Sequence, residues 1–531
     1  MKVSCHKNVP KGYYGKLAEA WLQNNTDLYR LYPVSENSLS DIEQQYTAFN
    51  IDRRNQLADI ITQQYEGVLT HENVRNNIQN LRRSNTFTVT TGQQLHVFLG
   101  PAFFIYKITS VIRQAKRLQK LHPDNHYVPV FWMASEDHDI AEINHIKVFG
   151  RTYTWETSSD GPTGRLSTSG LRAICDELLD LAGKEDLPPE VYAIFSLFKE
   201  AYTRFDTLSE ATRFILNQLF GEYGLVVMDA DHSLLKSDLK PIIQADVLSD
   251  SVFNALQSSS GQLKTTGFSN QVNPRKTHFF LLKNRKRLRI DKVDNGFKLH
   301  PSDELISAES MLELIEKQTS YFSPNALLRP VYQQIILPNV AYVCGPAELH
   351  YWHQLYPVFV QEKIVAPLLL LRDSYLAIDS KIQQFLTTYD LTEIALWDGF
   401  EAAAEIVKNK LTEENSIGEE IELLKVQTDK LMDLFFQLKY KNIKDLRTKS
   451  LSLISDIEKA NKSLSTDFMA QPAYEHIFKR LNKIIQTHYN VASQQERSVS
   501  WVEMLLKYRI KEFSPLMMNQ DESHCFGYLS V

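Results

Sequence analysis

Five times this chain runs through a short apolar, β-rich segment, ends it on polar or glycine residues, and in most cases opens a helix-like stretch. The first segment is centred on Phe87 to Val89 and closes on Thr91-Gly92-Gln93-Gln94; a helix with Ile105, Ile108, Ile112, Ala115 and Leu118 on one stripe follows. VPVFWMAS comes next and closes on Glu136-Asp137-His138-Asp139. Leu225 to Met228 form the third segment, Ala341 to Val343 the fourth, and VAPLLLLRDS a fifth that ends at Arg372. Strand, helix and strand in this order build a parallel sheet, so the expected class is α/β with a Rossmann-like core.

Between these units lie stretches that do not alternate in this way. Residues 1–80 read as a polar helical segment. The core is expected from 81–150, 206–245 and 326–375, with a first insertion at 151–205 and a second, partly stranded one at 246–325. From 376–531 the chain reads as a helical arm and tail. A heptad seam through Ile421, Leu424, Leu431, Phe435, Leu438, Leu446, Leu453 and Ile457 is interrupted by Thr428 and Asn442, the latter read as a register-fixing polar seam residue. Such an arm pairs within one chain or with a second copy.

At 531 residues there is ample chain for a large core. The formal net charge of −6 argues against general nucleic-acid binding. The N-terminus lacks the apolar region of a signal peptide, and the most apolar run, Ile364 to Leu371, contains Pro367 and is too short to span a bilayer. Cys5, Cys175, Cys344 and Cys525 are scattered and read as four reduced thiols, the expectation for a cytoplasmic protein.

In an open α/β sheet, ligands collect where strands end and helices begin. The strand ends here offer Thr91, Gly92, Gln93 and Gln94; Glu136, Asp137, His138, Asp139 and, further on, Asn144; Gly345, Pro346 and Glu348; and Arg372 with Ser374. Gly100-Pro101 and Gly345-Pro346 both read as helix mouths, where free N–H groups favour an anion. His138 between two aspartates reads as a general base or a substrate-holding group. Two other readings stay open: a helix cap at Asp139, and a metal set from Asp137, His138, Asp139 and His145, against which the alternation of side chains along a strand end argues. Cys344 lies in a buried-type strand and reads as an inert thiol. The basic run Lys283, Arg285, Lys286, Arg287 and Arg289 sits in a hairpin and reads as a solvated tip.

TTGQQ…GPAFFIYK, VPVFWMASEDHDIAEINH, QVNPRK, VAYVCGPAELHYWHQLYPVF, LLLLRDS and QQERSVSWVEMLLKY occur in the order found in the bacillithiol-biosynthesis cysteine-adding enzymes, the BshC family, which the chain resembles over nearly its whole length. That resemblance implies a core like that of class I aminoacyl-tRNA synthetases, with two insertions and a coiled coil that makes a homodimer. It implies an amide-forming ligase that adds cysteine to glucosamine-malate, with ATP or ADP as cofactor, Mg²⁺ if ATP is used, and no tightly bound metal. The synthetase HIGH motif is replaced by Phe98-Leu99-Gly100-Pro101, and Arg372-Asp373-Ser374 stands where a KMSKS-type loop would lie. On this reading Gln93, Gly100 and Gly345 line the pocket, Asp137 or His138 holds or deprotonates the amine, and Arg372 neutralises a phosphate or the malate carboxylate. His138→Ala and Arg372→Ala are both expected to fold and to lose product. The alternative is a nucleotide-binding dimeric scaffold with a degenerate synthetase-like core.

Overall fold

The computed structural model describes residues 2–6, 9–159, 161–183, 187–414, 418–438, 441–465, 472–508, 513–517 and 523–530. Five strands form an all-parallel sheet: β1 (Thr86–Gln93), β2 (His126–Met133), β3 (Val226–Asp229), β4 (Asn339–Cys344) and β5 (Leu368–Leu371). Their order across the sheet is β5-β4-β1-β2-β3. The chain therefore moves outward from β1 to β3, then returns to the other side of β1. A switch point lies between β1 and β4, where a doubly wound sheet opens a crevice.

The strands are apolar through their length because helices cover the sheet. All of β4 and β5 is buried, as is β1 up to Gly92. The crossover helices are α1 (Phe103–Leu121), α2 (Leu208–Phe220), α3 (Arg329–Ile336) and α4 (Pro346–Gln361). The α1 stripe Ile105, Ile108, Ile112, Ala115 and Leu118 is buried as expected. So are Lys107, Ser110, Arg113 and Gln114 on its other sides. The C-terminal tail covers Gln114, whose Nε2 donates to the Ser523 carbonyl at 2.7 Å, while Arg113 pairs with Asp373 at 2.6 Å and Lys107 with Glu348 at 2.5 Å.

Helix α1 begins at Phe103, two residues after the expected Pro101. Phe98, Leu99 and Gly100 all have positive φ (53°, 63° and 55°), which bars a helix start there. Phe98 is held in this conformation by the Tyr202 hydroxyl, which accepts its N–H at 2.9 Å, and by ring contacts with Phe198 and Tyr202.

The expected hairpin of the second insertion belongs to a five-stranded antiparallel sheet, in which Phe279–Lys283 pairs with Lys286–Val293. A separate three-stranded sheet joins Lys2–His6, Phe526–Ser530 and Ser374–Ile378. Within it Cys5 and Cys525 form a disulfide. The reading of four reduced thiols is therefore corrected: two are paired, and Cys175 and Cys344 are free and buried. The termini meet through a sheet that no local pattern announces. The pairing also removes the support that the cysteines lent to a cytoplasmic location.

By contacts the chain divides into Met1–Ala377 with Gln495–Leu529, and a second unit, Ile378–Gln494. In the second unit α5 (Gly418–Gln437) and α6 (Ile443–Ser465) form an antiparallel pair, tied by Lys425 to Glu458 at 2.6 Å and Arg447 to Asp429 at 2.7 Å. Asn442, read from sequence as a seam residue, instead stands in the turn between them with φ 72°. Asparagine tolerates that left-handed geometry. The N-terminal start of the expected seam, Ile417, lies outside the described residues.

Candidate active site

A cavity of about 640 Å³ opens at the β1/β4 switch point. Its size suits a small-molecule substrate. Gly92, Gln93, Gln94, Glu136, Asp137, His138, Asp139, Gly345, Glu348 and Arg372 line it, so ten of the sequence-derived candidates come together from the ends of three strands and the segment after β5. Lys107, Trp132, Arg287, Arg329, Tyr351 and Arg497 line it as well, and no motif had singled these out for the site.

The remaining candidates stand elsewhere. Thr91 is buried and its Oγ1 donates to the Val343 carbonyl at 2.8 Å, stitching β1 to β4. Gly100 and Pro101 face the tail: the Gly100 carbonyl accepts from the Trp501 N–H at 2.9 Å, and Pro101 bridges to Ser500. The Asn144 Nδ2 donates to the Trp155 carbonyl at 3.4 Å. Pro346 opens α4. Ser374 is buried, with its Oγ accepting from Arg372 Nη1 at 2.7 Å.

One wall of the cavity is acidic. The Gln94 amide donates to Asp137 Oδ2 and to Glu142 Oε2, both at 2.6 Å, and so holds two carboxylates at one place. Burial pushes the Asp137 carboxyl up, but His138, Arg287 and Gln94 outweigh it and keep it well below the ordinary carboxylate range. His138 is 41 % exposed, with Nδ1 3.5 Å from Asp137 Oδ1 and 3.2 Å from Arg287 Nη1. Glu136 faces Lys236 at 2.5 Å, and Lys236 also reaches Asp231 at 2.8 Å. Asp139 precedes the short helix Ile140–Ile143 but makes no side-chain cap, so the capping reading has no bond behind it.

Arg287 corrects the reading of the basic hairpin as wholly solvated. Lys286 is exposed, yet Arg287 points inward, 8 % exposed. Its Nη2 donates to the Pro324 carbonyl at 2.8 Å, its Nε to Ser323 Oγ at 3.1 Å, and its guanidinium lies 4.1 Å from the Phe280 ring centre. Of the run Arg287 alone is buried, while Arg285 and Lys286 are exposed and Lys283 and Arg289 partly so.

A second charged group, Lys107 with Glu348, lies at the switch point itself. The Lys107 Nζ donates to the Gly92 carbonyl at 2.5 Å and to Gln93 Oε1 at 3.1 Å, and pairs with Glu348 Oε2 at 2.5 Å. Glu348 also accepts from the Gly345 N–H at 2.7 Å and the Tyr342 hydroxyl at 2.6 Å. Burial pushes the Glu348 carboxyl up, but Lys107, Tyr342 and the Gly345 N–H hold it below its ordinary value. Glu348 thus already supplies the anion expected at this helix mouth. At the Gly100-Pro101 mouth the Gly100 N–H likewise donates to the Val97 carbonyl and the Ala102 N–H to the Val499 carbonyl. Burial pushes the Cys344 thiol well up, in line with an inert core cysteine.

These commitments decide what the site can hold. A triphosphate needs several uncommitted cations and N–H groups. Here Lys107 faces Glu348, Arg287 faces Asp137, and Arg372 faces Glu496 at 2.5 Å. Three of the cavity's cations are thus already committed to protein carboxylates. Among the described residues no cluster of three His, Cys, Asp or Glu side chains is placed to hold a metal. No described helix is long and apolar enough to cross a membrane.

Known proteins are similar to this chain in sequence. Residues 1–373 match the family model described as bacillithiol biosynthesis BshC, N-terminal Rossmann-like domain. The chain is 37% identical over 385 residues to a protein of Flavobacterium psychrophilum, covering 72% of each. It is 36% identical over 385 residues to one of Flavobacterium johnsoniae, again 72% of each, and 30% identical over 375 residues to one of Natranaerobius thermophilus, 69% of each. All three are named "Putative cysteine ligase BshC". A parallel sheet in the order β5-β4-β1-β2-β3, a polar cavity at its switch point and this match over the first 373 residues make the chain a member of the BshC family.

Proposed function

We propose that the cavity joins cysteine to the amino group of glucosamine-malate through an amide bond, as a ligase of bacillithiol biosynthesis. One observation carries this reading beyond family membership: one cavity holds two carboxylates, Asp137 and Glu142 on Gln94, together with the Arg329 guanidinium. Both substrates carry an amine and a carboxylate, and such a cavity orients each by its two ends.

Asp137 stays ionised and draws the amine to the acidic wall. His138, half-exposed beside it, takes the proton that the amine loses as the carbon–nitrogen bond forms. Gln94 fixes the Asp137 carboxylate at 2.6 Å, so the amine meets a defined position. The cysteine carboxyl must first be activated, because a free carboxylate does not yield an amide in water, and the activating group leaves from the acyl carbon as the carbon–nitrogen bond forms. A ligase family is compatible with nucleotide use, and no step here runs through ATP. Nucleotide analysis during turnover, with ATP and Mg²⁺ supplied, tests the activation step. AMP or ADP formed in proportion to product supports activation on this protein. Product formed with ATP intact excludes ATP as the activator, and nucleotide bound without any product favours the scaffold reading.

We further propose that the chain works as a homodimer through α5 and α6. Leu424, Leu431, Leu438, Leu446 and Leu453, all on the expected seam, are each at least 46 % exposed in the single chain. A second copy would cover this apolar face.

A further inference from the structure

We propose that Arg329 binds a carboxylate of the substrate, as a cavity cation whose hydrogen bonds, among the described residues, go to neutral groups. This inference rests on the ligase reading above for the identity of the substrates. Its structural basis is a contrast among neighbours. Lys107, Arg287 and Arg372 each face a protein carboxylate within 3.3 Å. Among the described residues, Arg329 has only neutral hydrogen-bond partners. Its Nη1 donates to Gln333 Oε1 at 3.0 Å and its Nη2 to the Tyr342 hydroxyl at 3.1 Å. The Trp132 and Tyr342 rings lie 5.7 and 5.4 Å from the guanidinium carbon.

Glu348 is a nearby carboxylate, and it is fully engaged. One oxygen accepts from Lys107 and the Gly345 N–H, the other from the Tyr342 hydroxyl. A guanidinium among aromatic rings, which feels Glu348 but makes no hydrogen bond to a carboxylate, favours an incoming anion more strongly than a solvated one does. Its planar fork of donors matches a carboxylate by two parallel hydrogen bonds. The approach is open because residue 92 has no side chain. A Cβ on Gly92 would stand 3.5 Å from Arg329 Nη1.

The carboxylate has two sources, the malyl group of the sugar and the cysteine itself, and binding measurements separate them. Calorimetry on wild type, Arg329→Gln and Arg329→Lys would use glucosamine-malate, L-cysteine and ADP as ligands. Arg329→Gln is expected to weaken glucosamine-malate, L-cysteine or both by about tenfold to a hundredfold. Arg329→Lys restores the charge without the fork and is expected to fall between. The ligand that loses affinity identifies the carboxylate held. ADP serves as the control and is expected to bind all three proteins alike.

Unchanged affinity of Arg329→Gln for both carboxylates overturns the proposal, as does a loss confined to ADP, or a wild type that binds neither acid. If the glutamine variant fails to fold, the lysine variant carries the same comparison. Binding needs no turnover. A wild type that holds the acids through Arg329 yet makes no amide leaves this inference standing and removes the ligase reading.

Discussion

Arg372 Nη2 lies 2.5 Å from Glu496 Oε1, a pair buried to within 1 % and formed across 124 residues of sequence. Arg372 lines the cavity, but its guanidinium is already neutralised by the tail. Its removal strands a buried carboxylate. Arg372→Met is expected to destabilise the protein by about 3–5 kcal/mol. The double variant Arg372→Met, Glu496→Leu is expected to recover much of that loss. Urea unfolding of both variants checks this. An Arg372→Met protein as stable as wild type, which the sequence alone led one to expect, would refute the structural role.

Gly100 has φ 55°, and a Cβ there would fall 2.6 Å from the His96 Cβ. Gly100→Ala is expected to cost about 1–3 kcal/mol from the backbone alone. At Gly92 the nearest atom to a new Cβ is at 3.4 Å, an ordinary contact. Gly92→Ala is therefore expected to keep its melting temperature. Thermal melts of the two variants side by side make the comparison.

The Asp137 carboxyl is held below its ordinary value in the folded chain by His138, Arg287 and Gln94 against the opposing effect of burial. A depressed folded pKa stabilises the protein above the unfolded carboxylate pKa of about 3.9. That contribution is lost as pH falls toward the folded pKa. The gap in melting temperature between wild type and Asp137→Asn is expected to be widest above about pH 4 and to narrow below it. A gap that widens on acidification would contradict the assignment.

Leu431 and Leu453 are 49 % and 64 % exposed in the helical hairpin. Light scattering is expected to find a dimer for the wild-type chain. Leu431→Asp with Leu453→Asp is expected to shift it to monomer, because each charge would sit in an apolar seam. A wild type that is monomeric at micromolar concentration would remove the dimer proposal.

The core was legible where apolar runs end in polar clusters. All five parallel strands and the meeting of Gly92, Asp137 and Gly345 in one cavity follow from that pattern and from the rule for open sheets. Lys107 and Arg329 were not, because each sits in a helix or at its first turn among residues that read as helix surface. Their burial depends on β4, α4 and the aromatic rings around them. The closure of the termini through Cys5 and Cys525 is invisible for the same reason: the partners are 520 residues apart. The mouths at Gly100 and Gly345 were recognised as chain geometry, but sequence could not show that a carbonyl and Glu348 already take their N–H groups.

The most direct test of the central claim is mass spectrometry of cysteine and glucosamine-malate incubated with ATP and Mg²⁺, with wild type and His138→Ala in parallel. His138 is 41 % exposed, so its loss is expected to leave the fold intact. The predicted result is a mass for the cysteinyl amide of glucosamine-malate with wild type, and a loss of about tenfold or more with the variant. Equal product from both would contradict the role of the acidic wall, and no product from wild type would contradict the ligase reading itself.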